Sequence, residues 1–199
     1  MFKLNNLDFN KCIGTHTLLY GETNTFKTHY TALFIQFLLE SKNINAKEIT
    51  ILDFAPKLKV FNNIKIGGKI EDFYEKSLSC RYVPLDHEII PPRISAKNKV
   101  ELYKNAYHNY KVTSEALKKY QESPTSFLIM NDISIYLHLG NKKYLANIIT
   151  KIPDTFFGNT YYGNVIRKPF AKLFSLKERK RIEYLLQIVE NVYKTQQNK

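Results

Sequence analysis

The pattern of apolar and polar residues near the start of the chain predicts a strand, a loop and a buried helix in immediate succession. An apolar run covers residues 17–20 and stops at Gly21, and polar residues follow it. The segment from Lys27 to Ser41 is then apolar on nearly every side. A helix at a solvent boundary keeps a polar face, so a helix without one is expected to lie buried.

Two further apolar runs are predicted to be strands of the same sheet. Residues 48–54 are rich in β-branched side chains and end shortly before Pro56, which stops a strand. Residues 126–134 form a second run that leads to Asp132. Strands that are apolar on both sides are typical of parallel sheets covered on both faces. Asp53 and Asp132 then lie at carboxyl ends of strands, the edge where open α/β sheets bind ligands.

The rest of the chain adds helices and one more strand. Apolar residues at spacings of three and four predict further helices over residues 95–121, 142–151 and 176–193. Residues 154–163 are predicted to form a strand, residues 57–94 an irregular insertion, and residues 195–199 a frayed tail. This succession predicts a single α/β domain over residues 1–199, with three α/β/α layers and a mostly parallel central sheet.

The loop after the first strand carries a phosphate-binding pattern. Residues 21–28 read G-E-T-N-T-F-K-T, which matches the P-loop pattern G-x-x-x-x-G-K-[ST] except at the second glycine. In such a loop, backbone N–H groups and the helix N-terminus bind the phosphates. Lys27 is predicted to act catalytically by neutralising the outer phosphates, and the Thr28 hydroxyl to bind Mg²⁺. The candidate nucleotide-binding residues are therefore Gly21, Glu22, Thr23, Asn24, Thr25, Phe26, Lys27 and Thr28.

Phe26, which replaces the second glycine, leaves two interpretations of this loop open. A glycine there lets the backbone approach a phosphate without a Cβ in the way. Phe26 is compatible with binding if its dihedral angles are helical and its ring points away from the nucleotide. In the other interpretation, the segment is an ordinary strand–loop–helix junction in which a Lys-Thr pair occurs by chance.

Two acids are candidates for chemistry because each ends a predicted strand. Asp132 is predicted to hold Mg²⁺ through a water molecule, opposite Thr28. Asp53 is predicted to act as a base or to orient a water or a substrate. It is equally well interpreted as a strand-end acid that accepts hydrogen bonds from nearby backbone N–H groups, and the sequence alone leaves both roles open.

Charge and composition affect the choice of partners. The 30 basic and 18 acidic residues give a net charge of +12, so nucleic acid is a candidate partner, unless the lysines simply keep the surface solvated. Cys12 and Cys80 have no C-x-x-C spacing, which argues against a disulfide framework or a zinc site. No apolar run reaches the roughly 18 residues of a membrane span. Residues 1–6 do not resemble a signal peptide, so a cytoplasmic protein without membrane contact is expected.

Residues 21–28, 49–53 and 127–134 together resemble the RecA/KaiC-like branch of the P-loop ATPases. That resemblance implies binding of ATP with Mg²⁺, hydrolysis of the nucleotide and assembly into homo-oligomeric rings or filaments. It also implies that the strand at 154–163 lies between the P-loop strand and the Asp132 strand, whereas a nucleoside-kinase-like order places those two strands side by side. The chain departs from the family pattern at Phe26 and has no evident glutamate at the end of the second strand.

These departures concern hydrolysis more than binding, and two alternative functions follow from them. The first is a non-hydrolysing nucleic-acid-binding protein that has a degenerate P-loop and a basic surface. The second is a small-molecule kinase whose acceptor site lies near residues 57–94.

Overall fold

A computed structural model describes residues 7–61, 64–166 and 168–196. The strands in these ranges are β1 (His16–Gly21), β2 (Ile49–Asp53), β3 (Lys59–Phe61), β4 (Ile64–Ile66), β5 (Arg81–Tyr82), β6 (Phe127–Asn131), β7 (Thr155–Tyr161) and β8 (Asn191–Thr195). Six of them form one sheet in the order β5-β2-β6-β7-β1-β8. Every neighbouring pair in that sheet is parallel, so the prediction of a mostly parallel sheet is confirmed.

Helices cover both faces of this sheet. They are α1 (Lys27–Gln36), α2 (Pro92–Ser95), α3 (Lys99–Glu122), α4 (Ser134–Leu137), α5 (Lys142–Lys151) and α6 (Lys172–Leu186). Successive strand residues point to opposite faces, and Leu19 packs in the cluster that contains α1 while Leu18 packs with α3, α5 and α6. The predicted three-layer α/β/α fold is therefore confirmed, and it is consistent with that of P-loop NTPases. None of the helices in the described ranges is long and apolar enough to cross a membrane.

The strand order decides which residues meet at the carboxyl edge of the sheet. β7 lies between β1 and β6, which is the order that the resemblance implies. The register pairs Gly21 with Tyr161 across β1 and β7, and Asp53 with Asn131 across β2 and β6. The phosphate-binding pattern and both candidate acids consequently lie at one edge of the sheet.

The carboxyl terminus differs from the prediction. The predicted helix over residues 176–193 is wrong in its second half, because α6 ends at Leu186 and residues 191–195 form β8 beside β1. Thr195, which was assigned to the frayed tail, is buried at 3% exposure in that strand. Residues 197–199 lie outside the described residues.

The segment 57–94 is less irregular than predicted. It holds the antiparallel hairpin β3–β4, the short strand β5 at the edge of the main sheet, and α2. Helix α3 begins at Lys99, later than the predicted residue 95, because the Asn98 side chain caps it by accepting a hydrogen bond from the Glu101 N–H at 3.0 Å.

Candidate functional site

The loop of residues 22–26 is fastened to the last strand of the sheet. A Cβ added at Gly21 would lie 2.5 Å from the carbonyl oxygen of Thr195, so only glycine fits where β1 passes β8. The Thr25 and Thr195 hydroxyl oxygens are 2.6 Å apart, and the Thr25 hydroxyl also donates to the Glu22 carbonyl oxygen at 2.8 Å. This anchor was not predictable from the sequence, since residues 191–193 fit a helical spacing.

The Glu22 side chain fastens the other side of the loop. Its carboxylate accepts hydrogen bonds from the backbone N–H groups of Asn164 and Val165. A Cβ at Gly163 would lie 2.1 Å from the same carboxylate, so the close approach requires a glycine. Glu22 thus holds the shape of the loop through contacts of its side chain with residues 163–165.

Phe26 adopts a left-handed backbone conformation directly before α1. Its dihedral angles are φ 62° and ψ 16°, so the helical conformation named above as the condition for compatibility is not found. The left-handed region of backbone dihedral angles favours glycine, which explains why the P-loop pattern has a glycine at this position. The ring is 40% exposed, lies 6.4 Å from the His29 ring and lines the cavity described below.

Lys27, the first residue of α1, is held by the loop that precedes it. Its ammonium donates to the Glu22 carbonyl oxygen and to the Thr25 hydroxyl, the latter at 3.2 Å. Burial lowers the pKa of Lys27 to about 8, against the opposing attraction of Asp132 and Glu22. The side chain is therefore charged at neutral pH and close enough to its pKa to lose charge in mildly alkaline solution.

Asn131, which the sequence pattern did not single out as a site residue, is the residue that faces Thr28. Its Oδ1 accepts hydrogen bonds from the Thr28 hydroxyl at 3.1 Å and from Asn159 Nδ2 at 2.8 Å. Its Nδ2 donates to Asp53 Oδ1 at 2.9 Å and to the Gly68 carbonyl oxygen at 3.2 Å. An amide, which both donates and accepts, therefore occupies the position opposite Thr28 where Asp132 was expected.

Asp53 is buried and its carboxylate is surrounded by donors. The oxygens accept from the N–H groups of Ala55 at 3.1 Å and Ile70 at 2.8 Å, in addition to Asn131, and Lys69 Nζ lies 3.5 Å away. Burial raises its pKa, although Lys69 and these hydrogen bonds act in the opposite direction. These contacts are those of the strand-end acid satisfied by backbone N–H groups, and a catalytic role for Asp53 stays a prediction.

Asp132 follows β6 in a left-handed conformation with φ 53° and faces the same cavity as Lys27 and Thr28. Its Oδ1 accepts a hydrogen bond from the Ser134 hydroxyl at 2.6 Å. Burial raises its pKa, and the charges of His138 and Lys27 oppose that shift. Lys27, Thr28 and Asp132 are thus brought together, as the phosphate-site interpretation requires.

A cavity of about 520 Å³ opens at this edge of the sheet. Its walls come from the loop and α1, from residues 91–94, from residues that follow β6, and from residues in and after β7. The remaining wall residues are Ala55, Pro56, Leu58, Gly67, Asp72 and Phe73. At one end lies a buried cluster in which Arg93 makes a bidentate ion pair with Glu178, with one N–O distance of 3.2 Å, and stacks on the Tyr161 ring at 5.0 Å. His138 Nε2 lies 3.2 Å from the Glu178 carboxylate. None of these four residues was predicted from the sequence to belong to a site. Arg93 on α2 and Glu178 on α6 are 85 positions apart in the sequence, so their ion pair has no local signal.

The oxygen atoms near Thr28 fit a magnesium ion that is bound mainly through phosphate. The protein oxygens that face the cavity here are those of the Thr28 hydroxyl and the Asp132 carboxylate, since the Asn131 amide oxygen already accepts two hydrogen bonds. Within the described residues, no group of three or more His, Cys, Asp or Glu side chains is arranged to hold a metal alone. Mg²⁺ usually binds through one or two carboxylates together with substrate phosphates, so this donor set suits the ion only when a phosphate is present.

No protein-family model and no curated protein matches this chain. Among solved structures, the chain is similar to the crystal structure of the Hef helicase domain from Pyrococcus furiosus, with 11% sequence identity and a TM-score of 0.42. The similarity covers 96% of this chain and 37% of the helicase chain, so this chain spans little more than a third of that protein's length. The interpretation of the site therefore depends on its own geometry.

Proposed function

We propose that the protein binds ATP with Mg²⁺ at residues 21–28 and that it belongs to the RecA/KaiC-like type of P-loop protein. The observation that supports this proposal is the convergence of Lys27, Thr28 and Asp132 on one cavity where α1 begins at the carboxyl edge of a parallel sheet. The first amide groups of a helix have no partner within the helix, so they bind phosphate oxygens readily.

Each residue of the site has a distinct task in this proposal. Lys27 exchanges its contact with the Glu22 carbonyl oxygen for one with the outer phosphates. Thr28, with Asn131 behind it and Asp132 at the cavity wall, holds the Mg²⁺ that neutralises phosphate charge when it is bound. Asp132 also offsets the charge of Lys27 before the nucleotide arrives, since the two act on each other electrostatically.

Hydrolysis, if it follows binding, is expected to be slow. Phosphoryl transfer depends on positioned positive charge and on a group that orients the attacking water. Asn131 places a neutral amide next to Thr28, and the oxygens of Asp53 are taken up by donors from the protein. Asp132, whose carboxylate lines the cavity next to Lys27 and Thr28, is then the proposed group for orienting a water.

Replacing Lys27 by alanine is expected to weaken ATP binding at least tenfold, because the ammonium supplies a charged contact with the phosphates. The wild-type affinity is also expected to fall between pH 7 and pH 9, since the ammonium loses its proton near pH 8. Equilibrium titration with a fluorescent ATP analogue, with and without Mg²⁺, measures both effects.

Lys42→Ala is the matched control, since that lysine is exposed and lies over the Phe37 ring. Its ATP affinity and pH dependence should match those of the wild type. Equal affinities for wild type and Lys27→Ala would contradict the proposal. The nucleic-acid-binding alternative would be favoured if the protein binds nucleic acid, if that binding weakens steeply with salt, and if Lys27→Ala does not change it.

Replacing Phe26 by glycine is expected to tighten ATP binding about threefold or more. Phe26 does not have the helical backbone named above as the condition for compatibility, so the wild-type loop is expected to bind ATP less tightly than a loop with glycine. Glycine adopts the left-handed conformation at little cost and removes the Cβ from the path of the phosphates. Phe26→Ala separates this effect from loss of the ring, because alanine keeps both the Cβ and the conformational cost. The same titration would contradict the explanation if the alanine and glycine variants gained affinity equally.

A further inference from the structure

The cavity extends past the residues that are proposed to bind the phosphates. It measures about 520 Å³, and the phosphate-binding pattern lines only one part of it. Its far walls are residues 91–94 and Ile166, which are distant in sequence from the phosphate-binding pattern. Cavities of roughly 300–1,000 Å³ hold small organic ligands.

The inner end of the cavity contains polar groups that the nucleotide site does not use. Arg93 and His138 line it, and they are 6% and 2% exposed. Two of the Arg93 nitrogens bind Glu178, although a guanidinium has five N–H donors. Among the described residues, neither ring nitrogen of His138 has a hydrogen-bond partner of normal geometry, despite the short distance to Glu178. Buried polar groups normally have partners, so this end of the cavity is suited to a ligand that donates and accepts.

The charges around the cavity favour a neutral ligand. Lys27 and Arg93 are balanced by Asp132 and Asp72, all of which line the cavity. Behind Arg93, the Glu178 carboxylate balances His138, which also lines the cavity. Once ATP occupies the loop, a second anion would meet both the phosphates and these carboxylates, which repel it.

The mouth of the cavity is apolar and partly aromatic. Leu58 is 52% exposed and Phe73 is 50% exposed, and both line the cavity together with Phe26. The rings of His29 and Phe73 are 5.6 Å apart. Exposed rings at a cavity mouth suit a flat ring system, which buries them and gains stacking contacts.

From these observations we propose that the cavity binds a second small molecule beside the nucleotide: a neutral, hydroxyl-bearing ring compound. Its hydroxyl groups bind Arg93 and His138, and its ring lies between the apolar residues at the mouth. This inference rests on the proposed function, because the ligand shares its cavity with the phosphates of a bound nucleotide.

Nucleosides are suitable probes, since they combine a flat ring with neutral hydroxyl groups. Uridine, cytidine and adenosine are titrated into the full-length protein saturated with ADP and Mg²⁺, and binding is followed by ligand-observed NMR. At least one of them is expected to bind, and its 5′-monophosphate is expected to bind at least tenfold more weakly. Failure of all three, or equal binding of nucleoside and monophosphate, would overturn the inference.

The variant Arg93→Met/Glu178→Leu removes the polar end of the cavity and replaces a buried ion pair by apolar side chains, an exchange that proteins often tolerate. It is expected to lose nucleoside affinity at least tenfold more than ADP affinity. The matched control is Lys118→Met/Glu115→Leu, which removes an exposed pair on α3 and should bind nucleosides as the wild type does.

A second variant keeps the test decisive if the double variant fails to fold. Ile94→Trp enlarges a half-buried side chain of the cavity wall and leaves the ion pair intact. It should also weaken nucleoside binding at least tenfold, and unchanged affinity would overturn the inference. If Lys27→Ala leaves the affinity for ADP unchanged, the proposed function itself is refuted. If ADP binds normally but no nucleoside binds, only the second site is refuted.

Discussion

Replacing Asn131 by aspartate is expected to destabilise the protein by about 3–5 kcal/mol at pH 7, the usual cost of an uncompensated buried charge. The new carboxylate cannot donate to Asp53 Oδ1 or to the Gly68 carbonyl oxygen, both of which the Asn131 amide now serves. It also faces the carboxylate of Asp53 at hydrogen-bonding distance. Urea unfolding of the wild type and the variant, followed by circular dichroism, measures the difference in free energy of unfolding.

The pH dependence of this effect has a definite sign. Two carboxylates in contact raise the pKa of at least one of them above its value in the unfolded chain. The stability of the variant is then greatest below the unfolded pKa of about 4, and it is lost as the pH rises through the raised pKa of the folded state. The difference in free energy of unfolding between the wild type and Asn131→Asp should accordingly become smaller as the pH is lowered from 7 to 4.5.

The exchange of both residues provides the control. In Asp53→Asn/Asn131→Asp, an amide again faces a carboxylate, so part of the lost stability should return. A coupling energy below about 0.5 kcal/mol in this double-mutant cycle would contradict the direct contact. The exchange also places an acid opposite Thr28, and ATP binding should become more dependent on Mg²⁺ than in the wild type.

Asn131 shows where sequence reasoning reached its limit. The apolar run from Phe127 and the polar pair at its end predicted a strand that delivers a side chain to the P-loop, and the strand is found at residues 127–131. Adjacent strand residues point to opposite faces, so a shift of one residue decides which side chain meets Thr28. Asp132 leaves the strand in a left-handed conformation, and its backbone N–H donates to Asn159 Oδ1 on β7, a contact that the local sequence does not reveal.

The fold itself was predictable because its signals are local. Buried strands, a glycine turn and an apolar helix are each recognised within about ten residues of sequence, and their order suggests the layers. The C-terminal strand was missed because Val189, Val192 and Tyr193 also fit a helical spacing. Only pairing with β1 along residues 17–21 distinguishes the two conformations.

The buried cluster of Arg93, Glu178, Tyr161 and His138 could not be predicted from the sequence, because its contacts join residues that are far apart in the chain. Arg93 follows two prolines in a segment predicted to be irregular, and Glu178 belongs to a helix that is rich in basic residues. Their ion pair exists only because α2 and α6 meet behind the cavity. Burial of both partners, at 6% and 3% exposure, then gives the pair a large effect on stability.

Replacing Arg93 alone by methionine is expected to cost about 3–5 kcal/mol of stability at pH 7, because it leaves the Glu178 charge buried without its main partner. The double variant Arg93→Met/Glu178→Leu should unfold within about 1 kcal/mol of the wild type, since apolar side chains of similar size fill the space. Thermal and urea unfolding of the three proteins measure both differences. A single variant as stable as the double variant would show that the Glu178 charge is solvated.

Acid unfolding separates the ion pair from simple packing. Burial alone would raise the pKa of Glu178, but the attraction of Arg93 and His138 is larger and lowers it to about 2. A carboxyl group with a depressed pKa stabilises the folded state above its unfolded pKa of about 4.3, and that contribution is lost as the pH falls through the folded pKa. The wild type should therefore lose about 2 kcal/mol between pH 4.5 and pH 2, and this loss should be absent from the double variant because it has no carboxyl group at this position. Parallel acid dependence in the two proteins would mean that other carboxyl groups determine the acid stability of the fold.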